Sequence, residues 1–214
     1  MKARNKQILI TAGPTREFLD PVRFLSNPSS GKMGYAIAEA AMNLGCSVEL
    51  VSGPSSLECP SGVNIHRVVT AQEMLEVVER LFDSCDCFIS VAAVSDWSPK
   101  NVASQKIKKT KAAQTLELIP TPDILRTMSL RKHSSQTIVG FCAETEELET
   151  NARRKLEDKQ LDWIAGNLVG QGQGGFQGDE NELLLIHRDG RRHDLGPGPK
   201  IDIAVQLVAL IGLA

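Results

Sequence analysis

Aromatic side chains make up only 4% of the 214 residues, with one tyrosine and two tryptophans. So few rings provide no platform on which successive bases of a single strand can stack. Positive charge is not in excess either. A formal net charge of −2 at pH 7 supplies no basic face for non-specific nucleic-acid binding. The five cysteines (Cys46, Cys59, Cys85, Cys87, Cys142) include no CxxC pair or zinc spacing, and the four histidines (His66, His133, His187, His193) form no H-x-x-x-H pair. An odd, scattered cysteine count reads as reduced thiols in a cytoplasmic protein and argues against a histidine/cysteine metal centre. The longest apolar run, near the C-terminus, is broken by Asp202 and Gln206 and is too short to cross a membrane. The opening MKARNKQ leads into an apolar strand without a signal peptide.

Several catalytic signatures are missing as well. Gly13 is followed by Pro-Thr-Arg, so the first turn lacks the dinucleotide fingerprint G-x-G-x-x-G. Ser30-Gly31-Lys32-Met33 lacks the first glycine of a P-loop and the Ser/Thr after its lysine. No G-x-S-x-G elbow is present.

What is present is an alternating α/β pattern, with 42% hydrophobic and 23% charged residues, enough for a real core. The pattern predicts strands at 8–10, 47–51, 64–69, 87–91, 137–141 and 162–165, and helices at 33–44, 71–82 and from 145 or 146 to about 160. Thr70 and Glu73 form a capping box. Thr121 is the expected N-cap of a further helix, with Pro122 at its first position. Residues 183–187 and 191–194 form a hairpin around Asp189-Gly190, and residues 199–214 a last helix. Residues 170–178, rich in Gly and Gln, read as a flexible tract. Strands alternating with helices imply a parallel sheet covered on both faces. The loops after Thr11, Ser52, Val91 and Phe141 then share the rim where ligands bind.

The chain is organised around residues 8–34. A strand-to-helix connection normally needs about 2–6 residues, whereas here about twenty intervene, rich in Gly, Pro, Ser and Asn. The connection ends with Asn27, Ser29, Ser30, Gly31 and Lys32 at a helix N-terminus, a natural anion site. The plainer reading is an Ω-loop capped by serine. In 92–99 the small residues let a planar ligand approach the backbone, and Asp96 either holds a hydroxyl or metal ion or caps a turn. Lys106-Ile107-Lys108-Lys109 and residues 114–119 read as two arms of a hairpin outside the main sheet. Its lysines either protect an edge or deliver charge to a polyphosphate. Lys155 and Lys159 share a helix face, which composition alone would leave to solvent.

Taken together, TAGPTREFLDPVRFLSNPSSGKMG, AAVSDW, KIKK, PTPDIL, GFCAET and the later asparagine loop resemble phosphopantothenoylcysteine synthetase. In bacteria that enzyme is commonly one half of a bifunctional synthetase/decarboxylase of coenzyme A biosynthesis. The resemblance covers residues 8–186 and implies an α/β, Rossmann-like three-layer sandwich with a mostly parallel sheet. It implies one ligase domain over 1–214, with a small dimerisation hairpin at about 104–120. The implied activity is a phosphopantothenate–cysteine ligase. The carboxylate of 4′-phosphopantothenate attacks the α-phosphate of CTP, and the amine of L-cysteine then displaces CMP. A divalent cation, Mg2+, and lysines offset the repulsion between the two anions. The KIKK arm is similar to the branch that uses CTP rather than ATP. A non-catalytic nucleotide-binding domain of the same fold is the reading from another class.

By matching positions, the resemblance assigns Asn27 to the acyl carbonyl region and Lys106 to the triphosphate and the second step. Ser90, Val91, Ala92, Asp96, Pro122, Asp123, Ile124, Leu125, Phe141, Lys155 and Lys159 line the CTP site. Gly13, Ser29, Ser30, Gly31 and Lys32 hold substrate phosphate. A homodimer is implied, with sites near its interface. So is a separate or fused flavin-dependent decarboxylase, whose half is missing here, and hence no flavin in this chain. Gly166-Asn167-Leu168 departs from the usual Ala-Asn-Asp, which puts a metal role there in doubt.

Overall fold

The computed structural model describes residues 5–170 and 177–213. Strand β1 (Gln7–Ala12) is followed by a long excursion containing its own short antiparallel pair, β2 (Arg16–Phe18) and β3 (Phe24–Ser26). Next come α1 (Lys32–Asn43), β4 (Ser47–Ser52), β5 (Asn64–Arg67), α2 (Ala71–Phe82) and β6 (Cys87–Ser90). A second short pair, β7 (Trp97–Pro99) with β8 (Leu118–Pro120), precedes α3 (Ile124–Arg131), β9 (Thr137–Glu144), α4 (Leu148–Asp158) and β10 (Trp163–Leu168). Strands β11 (Glu180–His187) and β12 (Arg192–Pro199) and helix α5 (Lys200–Leu210) follow.

The main sheet runs β12-β11-β10-β9-β6-β1-β4-β5. The six strands from β10 to β5 are parallel, and β11 and β12 add an antiparallel edge. Central strands are apolar on both faces because both faces are covered. Ile8 and Ile10 of β1 pack with α1 and α5 in one cluster, while Leu9 faces Met74, Val78, Phe82 and Met128 in the other. The period of two along β1 thus separates two helical layers around one sheet. This is the expected Rossmann-like three-layer arrangement.

Four local differences have physical causes. Helix α3 is capped by Asp123, whose Oδ1 accepts the N–H of Arg126 at 3.0 Å, not by Thr121. Pro122 disfavours helical backbone at Thr121, and the Thr121 hydroxyl is committed to the carbonyl of Ser95. The protruding hairpin pairs Trp97–Pro99 with Leu118–Pro120 rather than 106–109 with 114–119. Its lysine-rich crown, freed from any ladder, is irregular. Helix α4 starts only at Leu148 because β9 extends to Glu144 and Glu147 takes a left-handed conformation. The long opening loop folds back on itself as β2–β3. Most of the Gly/Gln tract, 171–176, lies outside the described residues.

Candidate active site

Strand order reverses between β1 and β6: the chain goes from β1 outward through β4 and β5, then returns to the other side of β1. Ligands in open α/β sheets bind beyond the carboxyl ends of the strands at such a point. A cavity of about 590 Å³ lies there, within the usual range of ligand pockets. Its lining includes Gly13 after β1, Gly31, Lys32, Met33 and Gly34 at the start of α1, and Ser90, Val91, Ala92, Ala93 and Val94 at the end of β6. Asp96, Pro122, Asp123, Ile124, Leu125, Phe141, Lys155, Lys159 and Ser29 of the expected set also line it, whereas Asn27, Ser30 and Lys106 do not.

Two glycines make the convergence possible. Gly13 (φ 74°) and Gly31 (φ 85°) are left-handed. A Cβ on Gly13 would stand 3.2 Å from the carbonyl oxygen of Gly53, and one on Gly31 3.3 Å from the Cα of Gly13. The loops after β1 and β4 and the entrance of α1 therefore cross with backbones nearly in contact. The N–H of Ala93 donates to the Gly13 carbonyl at 2.9 Å, which joins the exit of β6 to the same crossing. The N-cap of α1, Gly31, makes no side-chain cap bond; Ser30 Oγ accepts the Lys32 N–H at 3.5 Å, which leaves the Met33 and Gly34 N–H groups and the positive dipole end to an anion.

Two lysines, Lys155 on α4 and Lys159 at its C-cap, line the same cavity. Lys155 Nζ donates to the Phe141 carbonyl at 3.0 Å, and Lys159 Nζ lies 2.9 Å from Asp123 Oδ2. Burial, with help from the Lys159 charge, holds the Lys155 ammonium below its ordinary pKa. Burial works against the Asp123 carboxylate, but the Lys159 bond and the Arg126 N–H outweigh it and keep its pKa below the usual range. An unpaired anion entering the cavity would relieve the repulsion between the two ammonium groups. The Asp96 side chain is exposed; it is the Asp96 backbone carbonyl that accepts a bond, from the Thr121 N–H at 3.0 Å. Among the described residues, no three His, Cys, Asp or Glu side chains gather into a metal cage.

A shallower groove shares Ser29 and Lys32 with the cavity and is otherwise lined by Arg16, Phe24, Asn27, Ser30 and their neighbours. Asn27 Nδ2 donates to the carbonyls of Ala93 and Val94, both at 3.1 Å. The amide is thus fixed between the β3 exit and the β6 exit. Lys32 Nζ, at the junction, pairs with Asp179 at 2.6 Å. Lys106 lines neither space; it is exposed on the crown of the hairpin.

Sequence reasoning missed Asn181, which is 8% exposed and lines the cavity beside Asn167. The signal was there: Asn181 is in phase with the inward-facing Leu183 and Leu185, and a polar residue on a buried strand face calls for a partner. Thr121 and Trp97 also line the cavity.

Comparison with known proteins gives concordant results. The family described as "DNA/pantothenate metabolism flavoprotein C-terminal domain" matches residues 3–213. The coenzyme A biosynthesis bifunctional protein CoaBC of Bacillus subtilis (strain 168) is 45% identical over 204 residues, covering 95% of this chain and 50% of that protein. Its counterpart in Escherichia coli (strain K12) is 46% identical over 191 residues, covering 87% of this chain and 47% of that protein. The chain thus spans about half the length of the curated relatives it matches. The crystal structure of the C-terminal domain of a CoaBC protein superposes with a TM-score of 0.83 at 41% identity, covering 97% of this chain and 94% of that one. A Cab2 variant in complex with phosphopantothenate-cysteine has the same fold, with a TM-score of 0.76 at 20% identity, covering 97% of this chain and 85% of that one.

Proposed function

The chain belongs to the DNA/pantothenate metabolism flavoprotein C-terminal domain family, and on that premise we propose that it is a cytoplasmic phosphopantothenate–cysteine ligase that uses CTP. One observation carries the reading. The first turn of α1, Lys155 and Lys159 line one cavity, and that cavity continues through Ser29 and Lys32 into a groove bearing Asn27. Such a site brings two anions together and offsets their repulsion.

The chemistry follows from that layout. The Ser90–Val94 wall and the start of α3 accept the nucleoside, and Lys155 and Lys159 neutralise its phosphates. Ser29, Ser30, Gly31 and Lys32 hold substrate phosphate, and Asn27 stands beside the acyl group. A carboxylate oxygen of 4′-phosphopantothenate attacks the α-phosphorus. An O–P bond forms, the bond from the α-phosphorus to the bridging oxygen breaks, and pyrophosphate leaves. The neutral amine of L-cysteine then attacks the acyl carbon. The C–N bond forms, the acyl C–O bond breaks, CMP leaves with that electron pair, and the amine proton passes to solvent. Lys106, carried in by its arm, offsets the charge developing on CMP. Asp96, whose exposed carboxylate lines the cavity, would hold a Mg2+ ion, which would supply charge to offset the triphosphate.

Exposed apolar residues on the hairpin support a homodimer, and the half-length match to CoaBC proteins supports a flavin-dependent decarboxylase as fused or separate partner. The test is pyrophosphate release with Mg2+ and 4′-phosphopantothenate, comparing CTP with ATP, with and without cysteine. Release with CTP, and CMP only when cysteine is added, is the expected result. Release with ATP alone would overturn the nucleotide assignment. Silence from a folded, CTP-binding protein would make it a non-catalytic domain.

A further inference from the structure

Asp20 lies in the turn between β2 and β3, and its side chain is wholly shielded from solvent. Its Oδ1 accepts the backbone N–H groups of Val22 and Arg23, each at 2.8 Å. Those two bonds complete an ordinary Asx turn. Oδ2 does something the turn does not require. It accepts the backbone N–H of Ile107, 87 positions downstream, at 3.1 Å. The guanidinium that pairs with Oδ2, Arg23 Nη1 at 2.8 Å, also donates to the Ile107 carbonyl at 2.9 Å. One carboxylate and one guanidinium therefore grip both backbone groups of a single residue.

That residue adjoins Lys106. The hairpin ladder ends at Pro99 and Leu118, with one more bond from the Lys100 N–H to the Glu117 carbonyl. Beyond it the crown has no strand. The Lys106 side chain makes no hydrogen bond or ion pair among the described residues. What locates its backbone is the Asp20–Arg23 grip, with a second tether from the Ala103 N–H to the Leu19 carbonyl at 2.9 Å. The same β2–β3 unit runs directly into Asn27. A single element thus carries one residue assigned to the acyl group and holds the arm that carries the other.

We propose that Asp20 is a positioning residue for aminolysis: by holding Ile107 it anchors the arm from which the Lys106 side chain reaches the site when cysteine attacks. The proposal rests on the assignment of Lys106 to that step. Burial opposes the Asp20 charge, but the N–H groups of Val22, Ile107 and Arg23 and the guanidinium outweigh it, so the carboxyl is held below its ordinary pKa. The grip is therefore anionic throughout the neutral range.

The experiment follows the two half-reactions separately in wild type, Asp20→Asn, Lys106→Gln and the double variant. Pyrophosphate release without cysteine reads the first, and decay of preformed acyl-cytidylate on mixing with cysteine reads the second. Asp20→Asn should leave the first within about twofold and slow the second about tenfold. In the Lys106→Gln background it should slow the second no further, because Asp20 acts only through Lys106. Equal loss in both half-reactions, or additive loss in the double variant, would overturn the proposal and leave Asp20 a residue of the turn. If Lys106→Gln is slow and Asp20→Asn is not, Asp20 alone is wrongly assigned. If Lys106→Gln is as fast as wild type, the Lys106 assignment falls and takes the proposal with it. Should Asp20→Asn lower the thermal midpoint, Ile107→Pro decides, since it deletes the gripped N–H while leaving the turn its carboxylate; normal decay in that variant would refute the grip.

Discussion

Lys155 Nζ donates to the backbone carbonyl of Phe141 at 3.0 Å, tying the α4 lysine to β9. The bond places an ammonium group, four residues before Lys159, at the cavity wall. It spends one of three donors and leaves the others for a phosphate.

Burial first, and then the Lys159 charge, lower the Lys155 pKa below 10.5. The charged form is thus disfavoured in the folded, ligand-free protein. Its destabilising contribution is present at neutral pH and is relieved as pH rises through the lowered pKa towards 10.5. Triphosphate affinity should fall across the same window, because the cation it needs is lost. Calorimetric titration with CTP and thermal unfolding as a function of pH check both signs. Lys155→Met should flatten the affinity trend and weaken binding by about 10–100-fold at neutral pH, the scale of a charged hydrogen bond.

Gly34 is where α1 rests on β1. An added Cβ would stand 2.6 Å from the Ala12 Cβ. Alanine in place of a helical glycine favours the helix by about 1 kcal/mol, but overpacking costs about 1–3 kcal/mol. Gly34→Ala should therefore destabilise the protein in urea titrations. It should also weaken nucleotide binding by displacing the helix end that meets the phosphates.

Asp162 anchors the opposite end of the sheet. Its carboxylate takes Lys132 Nζ at 2.5 and 2.6 Å, Arg188 Nη1 at 3.2 Å and the Ile138 N–H at 2.8 Å. The Lys132 side chain is only 15% exposed, so losing its partner leaves a charge poorly solvated. Asp162→Ala should cost about 2–3 kcal/mol in denaturant. Turnover at a temperature where the variant is folded should be unchanged, because this cluster lies away from the strand ends that build the site.

The hairpin carries Trp97, Leu118 and Ile119 at 52%, 40% and 41% exposure. Large apolar residues clustered on one protruding element point to a covered surface. Sedimentation equilibrium should give twice 23.3 kDa for wild type and a monomer for Ile119→Asp. A wild-type monomer would remove the proposed homodimer.

Much of this architecture was legible because the signals were local. Apolar runs marked β1 and β6 on sight, and Thr70 with Glu73 forms the expected capping box. Lys155 and Lys159 reach the cavity because four-residue spacing puts Lys155 of α4 and its C-cap Lys159 on one side. What stayed hidden depends on partners far along the chain. Whether Thr121 or Asp123 caps α3 depends on Ser95, which occupies the Thr121 hydroxyl. Nothing near Lys106 shows that its neighbour is held by Asp20. Asn181 enters the cavity only because β11 adds to the sheet beside β10.

The most direct measurement uses 4′-phosphopantothenate labelled with ¹⁸O in its carboxylate, incubated with CTP, Mg2+ and L-cysteine and analysed by mass spectrometry. Attack of the carboxylate on the α-phosphorus, followed by cleavage of the acyl C–O bond, requires one labelled oxygen to leave in CMP, so label is expected there and none in pyrophosphate. Label in inorganic phosphate together with CDP would mean an acyl phosphate instead, and would contradict the acyl-cytidylate route.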